Sequence, residues 1–328
     1  MSVFSSLRDS TGPTVAVELT AHQVSAASLE IRAGAPVVAA HAVEPLPEGA
    51  LVPSLTTANI HNRQAVLNAL VRVLERTGNP RRIGLIVPDL VAKVSLVRFE
   101  QVPPRAADLD QLVRWQVRKT APFPIEEAQV AYVPGLKAAA GDAGSAGQEF
   151  IVSLARRAIV EEYEALCAEA GAHAGIVDLA TFNVINTVLA STRSSGIDGD
   201  WLLVNVAPDD ASIAILRGPH LIFFRNRAAE TEGTLADFVH QAAMYYEDRL
   251  QGSGFGRVFL TGAAGGGPRH AADAEQVRRS LQERLTTPIE PVDPRAAAGL
   301  TDRISAAPAL LDTLAPLVGL LLRGRDAA

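Results

Sequence analysis

The chain has 328 residues, 48% of them apolar and 20% charged, and 30 Lys and Arg against 36 Asp and Glu give a formal net charge of −6. That length suits about two domains, each able to bury its own core, and the composition excludes disorder across the chain. With no basic surplus to neutralise phosphates, nucleic acid is excluded as the main partner.

From the N-terminus, residues 14–19 (TVAVEL) and 23–31 (QVSAASLEI) predict two strands joined by a polar turn at Thr20, Ala21 and His22, and residues 36–43 predict a third. Asn62 stands as the N-cap of a helix whose Val66, Leu67, Leu70, Val73 and Leu74 share one face and which stops near Gly78. Residues 83–87 (IGLIV) form a continuous apolar run of the kind found in a strand buried on both faces. Residues 91–99 predict another strand, closed by Val102, Pro103 and Pro104. The next helix carries Leu109, Leu112, Val113 and Val117 on one stripe, with Asp108 near its start. Trp115 lies about 60° off that stripe at about 100° per residue, and the helix breaks at Pro122-Phe123-Pro124. Strands at 128–133 and 149–154 flank a loop of small residues at 136–148. A helix at 157–170 and a strand at 175–179 (GIVDL) follow.

A second half opens near Asp200. Residues 201–206 (WLLVNV), 212–216 (SIAIL) and 220–225 predict three meandering strands that parallel the run at the N-terminus, a repeat of pattern and not of close sequence. A helix at 235–250, a short strand at 257–260, a glycine-rich loop at 262–267 (GAAGGG), a helix at 274–285, a short strand near Ile289 and a final helix at 309–323 complete the chain. The fold class is therefore α/β. Two halves that each open with three strands and then alternate strand and helix predict the actin-like ATPase architecture of two RNase H-like halves. Residues 1–199 form the first half, with an inserted α+β subdomain at about 83–179; residues 200–328 form the second, whose last helix packs back on the first.

The segment 112–132, LVRWQVRKTAPFPIEEAQVAY, resembles the PilM family, the actin-like component of type IV pilus assembly, related to FtsA and to the cytoplasmic domain of GspL proteins. Further matching stretches run in the same order: VAVEL, LIVPDLVAKVSLVRFEQVP, DLATFNVINTVLA, LIFFRNR, VFLTGAAGG, LTTPIEPVDP and APLVGLLLRG. The resemblance implies an ATP site in which one turn from each half wraps the phosphates with backbone N–H groups while a glycine-rich turn admits the adenosine. Those turns fall on Thr20, Ala21 and His22, on Asp210 and Ser212, and on Gly262, Gly265 and Gly266. The first turn here has no glycine, and in the second Pro208 removes a donor while Asp209 and Asp210 put negative charge where phosphates would sit. Glu18 and Asn205 are not read as replacing the metal-orienting Asp of related proteins, and the metal stays unknown. ATP hydrolysis is expected to be weak or absent, and the balance on ATP and Mg binding leans against.

Other candidates have plainer readings. Cys167 (in EEYEALCAEAG) is spaced as a buried small hydrophobe, and a lone cysteine with no supporting neighbour is not taken as a nucleophile. His22 reads as an exposed turn histidine; Arg225 and Arg227 read equally as cleft or surface residues. No CxxC or HExxH is present, and no Ser/His/Asp arrangement or general acid–base pair can be singled out from spacing alone. The first ten residues lack an apolar h-region and no run reaches about 18 apolar residues, which predicts a cytoplasmic protein with no direct membrane insertion. The final helix, with basic residues only at its end, reads as packing and not as lying on a membrane.

The expected function is a cytoplasmic scaffold of a type IV pilus, or related type II secretion, inner-membrane assembly complex. By resemblance it docks the tail of a PilN-like membrane protein and links it to other pilus platform or motor proteins, through a groove between the first domain and the insert. Trp115, Pro122, Phe123 and Pro124 are the expected partner-binding residues, since an extended peptide gains from backbone pairing and apolar pockets. The rival readings are an active ATPase or sugar-kinase-like enzyme, and a filament-forming homologue; whether the chain is a homo-oligomer is left open.

Overall fold

The computed structural model describes residues 12–137, 147–193, 196–229, 233–263, 268–302 and 304–323, with the backbone alone at 268–274. The strand β1 (Val15–Leu19) is buried at every position. It pairs antiparallel with β2 (Gln23–Arg32), which pairs antiparallel with β3 (Ala35–Pro45). Only Ala33 and Gly34 link β2 to β3, both at positive φ (49° and 82°), as in the two-residue turn whose twist suits a hairpin. Asn62 caps α1 (Arg63–Arg76) by accepting the Ala65 N–H at 3.1 Å. Beyond it, β4 (Arg82–Val87) runs parallel to β1, and β8 (His173–Leu179) runs parallel to β4. With the short β14 (Gly299–Leu300) beside β3, the six-stranded order is β14-β3-β2-β1-β4-β8.

The second half retraces this path. β9 (Asp200–Val206), β10 (Asp210–Arg217) and β11 (His220–Ala228) form the meander, α5 (Leu235–Leu250) follows, and β12 (Phe255–Thr261) and β13 (Ile289–Pro291) add in parallel, giving the order β11-β10-β9-β12-β13. The repeat of pattern in the sequence is thus a repeat of topology.

Between β4 and α3 (Arg157–Glu169) the first half carries a separate three-stranded sheet, order β5-β7-β6, made by β5 (Ala92–Phe99), β6 (Ala128–Lys137) and β7 (Gln148–Arg156). The helix α2 (Ala106–Arg118) packs Val113 and Val117 against Phe99, Phe150, Val152 and Leu154 of that sheet. The inserted segment expected at 83–179 begins and ends with β4 and β8, which pair within the six-stranded sheet; the separate sheet takes 92–156. A wholly apolar run such as IGLIV looks the same in any doubly covered strand, so its sheet is not legible in its sequence.

Side-chain alternation in β1 divides the cores. Val15, Val17 and Leu19 join α1 and α3, while Ala16 joins the last helix, α7 (Pro308–Leu322). α7 and α4 (Ala180–Ser191) lie together between the two sheets, and α5 with α6 (Pro268–Gln282) covers the outer face of the second. Four leucines of α7 (314, 317, 320 and 321) are wholly buried, each worth about 1.5–3 kcal/mol. α7 and α4 touch so closely at Gly319 that a Cβ there would stand 1.7 Å from the Asn183 carbonyl oxygen, and Thr187 Oγ1 donates to the Ala315 carbonyl at 2.6 Å. Cys167 is buried in the α1–α3 core, as its spacing predicts, and burial pushes its thiol up to about 12.

Candidate functional site

Three turns and two helix ends converge on a cleft of about 100 Å³ between the halves. The first turn closes on itself: the Thr20 N–H and Oγ1 both donate to the Gln23 carbonyl at 3.0 Å, and Thr20 Oγ1 accepts the Gln23 N–H at 3.1 Å. In the second, the Ala207 N–H donates to the Asp210 carbonyl at 2.8 Å. The third turn presses onto the second, since a Cβ on Gly262 (φ 83°) would stand 1.9 Å from the Val206 carbonyl oxygen; only glycine fits there. His22 Nε2 reaches across to Asp209 Oδ1 at 3.2 Å, an ion-pair contact between the first and second turns.

Behind the turns sits a residue that the sequence reading did not single out. Asp89 follows Pro88 at the end of β4, in a 3₁₀ turn over Asp89–Val91, and is 2% exposed. Its carboxylate accepts the Thr181 N–H at 3.1 Å, the Thr181 hydroxyl, and Ser212 Oγ at 2.6 Å. Its carbonyl accepts Asn226 Nδ2 at 3.0 Å, and Asn205 Nδ2 donates to Thr181 Oγ1 at 2.9 Å. One aspartate thereby ties the first sheet to the N-terminus of α4 and to β10 and β11. A fully buried Asp is rare unless partnered, but "PD" after a strand reads locally as a turn, so the sequence carries no local sign of it.

The cleft is acidic. Glu18, Asp89, Asp209, Asp210 and Asp312 line it with the His22 imidazole, and its described lining includes no Lys or Arg. Burial pushes Glu18 up to about 8, opposed by the hydrogen bond from Ser25 and reinforced by Asp89. Asp210 is pushed up to about 8 by burial and by Asp89 and Asp209. Burial also raises Asp89, against the hydrogen bonds from Ser212 and Thr181, and raises Asp209 against the pull of His22. Among the described residues no group of three or more His, Cys, Asp or Glu is placed to hold a metal ion. Of the residues expected in the nucleotide turns, Thr20, His22, Asp210 and Gly262 line the cleft, Ala21 is buried beside it, and Ser212 has turned its hydroxyl to Asp89. Gly265 and Gly266 lie outside the described residues. Arg225 and Arg227 stack over the Phe238 ring at 5.5 and 4.7 Å, leaving Asn226 between them to face Asp89.

A second concavity runs between the insert and the body of the protein. The face of the insert sheet turned away from α2 presents Gln129, Ala131, Val133, Ile151, Ser153 and Ala155. Opposite stand β8 and the 3₁₀ turn, with Val91, Ala174, Val177 and Leu179, in a hollow of about 310 Å³. An adjoining hollow of about 470 Å³ is walled by Phe182, Ile185 and Leu189 of α4 and by Leu216 and Leu221. Asp178 and Arg323, joined as an ion pair, line both. The edge strands β8 and β6, each paired on one side only, both contribute to the first hollow. The four expected partner-binding residues are not brought to this groove. Trp115 is 63% exposed on α2, Pro122 and Pro124 are exposed beyond its end, and Phe123 is half-buried against the α2–sheet core. All four sit with α2, which covers the opposite face of the insert sheet.

The sequence profile of the type IV pilus assembly protein PilM matches residues 16–249. The chain belongs to the PilM family. Among solved structures it is similar to one described as the PilM–PilN type IV pilus biogenesis complex, at TM-score 0.77 and 16% identity over 96% of this chain and 99% of that one. It is also similar to a Bacteroides thetaiotaomicron protein with actin-like ATPase fold and unknown function, at TM-score 0.50 and 10% identity over 98% of each chain. At these identities the likeness is one of fold, which for this PilM-family chain is the actin-like ATPase fold. No helix among its described residues is long and apolar enough to cross a membrane.

Proposed function

We propose that this PilM-family chain is a cytoplasmic scaffold of the inner-membrane pilus assembly, holding the extended tail of a PilN-like membrane protein in the groove between β8 and β6. The observation that carries the reading is the pair of edge strands facing one hollow. Each offers a row of unpaired backbone donors and acceptors to an added strand, and the small residues Ala131, Ser153, Ala155 and Gly175 leave room for its side chains. The solved PilM–PilN complex supports the same partner class. Secretion-type platforms and motor proteins are further partners under this reading, reached from surfaces outside the groove.

Catalysis is not part of the reading. A nucleotide triphosphate needs a pocket on the scale of ~300–1,000 Å³, against about 100 Å³ in the cleft. It would also bring its charge among five acidic side chains with no Lys or Arg in the described lining, and with the Thr20 and Ser212 hydroxyls already spent. The test is fluorescence anisotropy with a labelled PilN-like tail peptide, on the full chain and on Val177→Glu, which puts a charge into the groove wall. Binding by the full chain and a loss of tenfold or more in the variant are expected; equal binding by both overturns the groove. Magnesium ATP should leave the melting temperature unchanged and release no phosphate above background. Turnover would restore the enzyme reading.

A further inference from the structure

Five bonds or contacts cross the cleft: Asp89 to Ser212, Asn226 to Asp89, Asn205 to Thr181, His22 to Asp209, and Thr261 Oγ1 to Asp312 at 3.1 Å. The first four join residues of different halves, three of them meeting at Asp89 and its partner Thr181, and the fifth ties β12 to α7, the helix of the second half that packs on the first sheet. We propose that this hub is a latch between the halves, closed while Glu18 and Asp210 carry protons and released when they ionise.

The charges facing the hub come from every element around it. Glu18 comes from β1, Asp178 from β8, Asp209 and Asp210 from the β9–β10 turn and Asp312 from α7; His22 faces Asp209, and Arg323 is paired with Asp178. β11 contributes Asn226, its flanking arginines being stacked on Phe238. Glu18 and Asp210 are 7% and 6% exposed, and among the described residues no cation stands against either. Protonated, they add no charge beside the Asp89 carboxylate. Ionised, they place two further negative charges next to it in a site poorly screened by water, and separation of the halves is the motion that relieves the repulsion. Closure needs no ligand in this scheme, because hydrogen bonds between side chains do the joining.

The sign follows from proton linkage. The closed state holds protons that the open, hydrated state releases, so opening grows as pH rises from the ordinary carboxylate range up to about 8, where Glu18 and Asp210 titrate in the closed state. Two groups releasing one proton each mean up to about a hundredfold more opening per pH unit, and a single group about tenfold. The experiment is hydrogen–deuterium exchange on the full chain from pH 6 to 8.5, corrected for intrinsic rates, with peptides covering 85–92 and 203–214 as reporters and α5 as control. The expected result is a loss of protection at both reporters of more than tenfold, up to about a hundredfold, per pH unit below about 8, with α5 unmoved. In the Glu18→Gln, Asp210→Asn double variant the reporters should stay protected across the range. Ser212→Ala removes a cross-cleft bond without touching a charge; it should raise exchange at every pH and leave the slope. If the double variant fails to fold, Glu18→Gln alone, which keeps an acceptor for Ser25, should lower the slope. Reporters whose protection is flat with pH in the unsubstituted chain, or a slope unchanged in the neutral variants, overturn the latch.

Discussion

Replacing Glu18 with Gln should stabilise the protein, and by an amount that depends on pH. Glu18 is buried on β1 with a single hydrogen-bond donor, Ser25 Oγ at 3.3 Å, and its carboxyl is pushed up to about 8 from an ordinary 4.5. In the unfolded chain the group ionises near its ordinary value; in the folded chain it keeps its proton until about 8. Unfolding therefore releases a proton throughout the interval between, and stability falls as pH rises across it. At about 1.4 kcal/mol per pKa unit, the penalty is negligible near pH 4.5 and on the order of 3 kcal/mol at pH 7. Gln retains the acceptor for Ser25 and carries no titrating proton, so the variant escapes the penalty. Urea unfolding followed by circular dichroism at pH 5, 7 and 8 measures it. The variant should gain little at pH 5 and about 3 kcal/mol at pH 7, with an unchanged denaturant slope. A gain that is the same at every pH, or a loss at pH 8, would refute the assignment of Glu18 as a buried acid without a countercharge.

Four further outcomes follow from packing and burial. Gly319→Ala should cost about 1–3 kcal/mol in the same unfolding assay, because its Cβ would collide with the Asn183 backbone and force α7 off α4. Trp115→Ala, at an exposed position on α2, should change stability by less than about 0.5 kcal/mol, whereas Phe123→Ala should cost about 1–3 kcal/mol because that ring packs on the insert core; neither should affect tail binding if the groove is correctly assigned. Cys167, buried with its thiol held up at about 12, should resist iodoacetamide at pH 8 in the folded chain and react only as urea unfolds it.

The parts of the fold that the sequence disclosed are those written in local chemistry. Asn62 announces a helix start because its side chain has a single obvious job, and TVAVEL announces a covered strand by composition alone. The helix α4 was missed as an element although its residues were noted: Thr181, Asn183, Val184, Ile185, Thr187 and Val188 are all buried, so it has no polar face to give a period. Asp89 escaped because its partners, Thr181, Ser212 and Asn226, lie 92 to 137 positions away. The groove escaped for the opposite reason. The lining of its first hollow is mostly alanine, serine, glycine and valine, residue types that mark nothing in particular until two edge strands line one hollow, whereas Trp115 and the Pro-Phe-Pro break draw attention by composition and sit on the other side of the insert sheet.

The position of α7 has a consequence for the order in which the protein is made. This helix covers Ala16, Ala27, Leu29 and Ile86 of the first sheet, yet it emerges from the ribosome more than two hundred residues after the last of them. At a synthesis rate of roughly 5–20 residues per second, that face of the nascent sheet stays uncovered for on the order of tens of seconds. The first half thus cannot complete its core while the second is still being translated. A nascent chain is bound to expose an apolar sheet face for chaperones to shield, and a stalled or truncated product lacking the last twenty or so residues would leave it permanently bare.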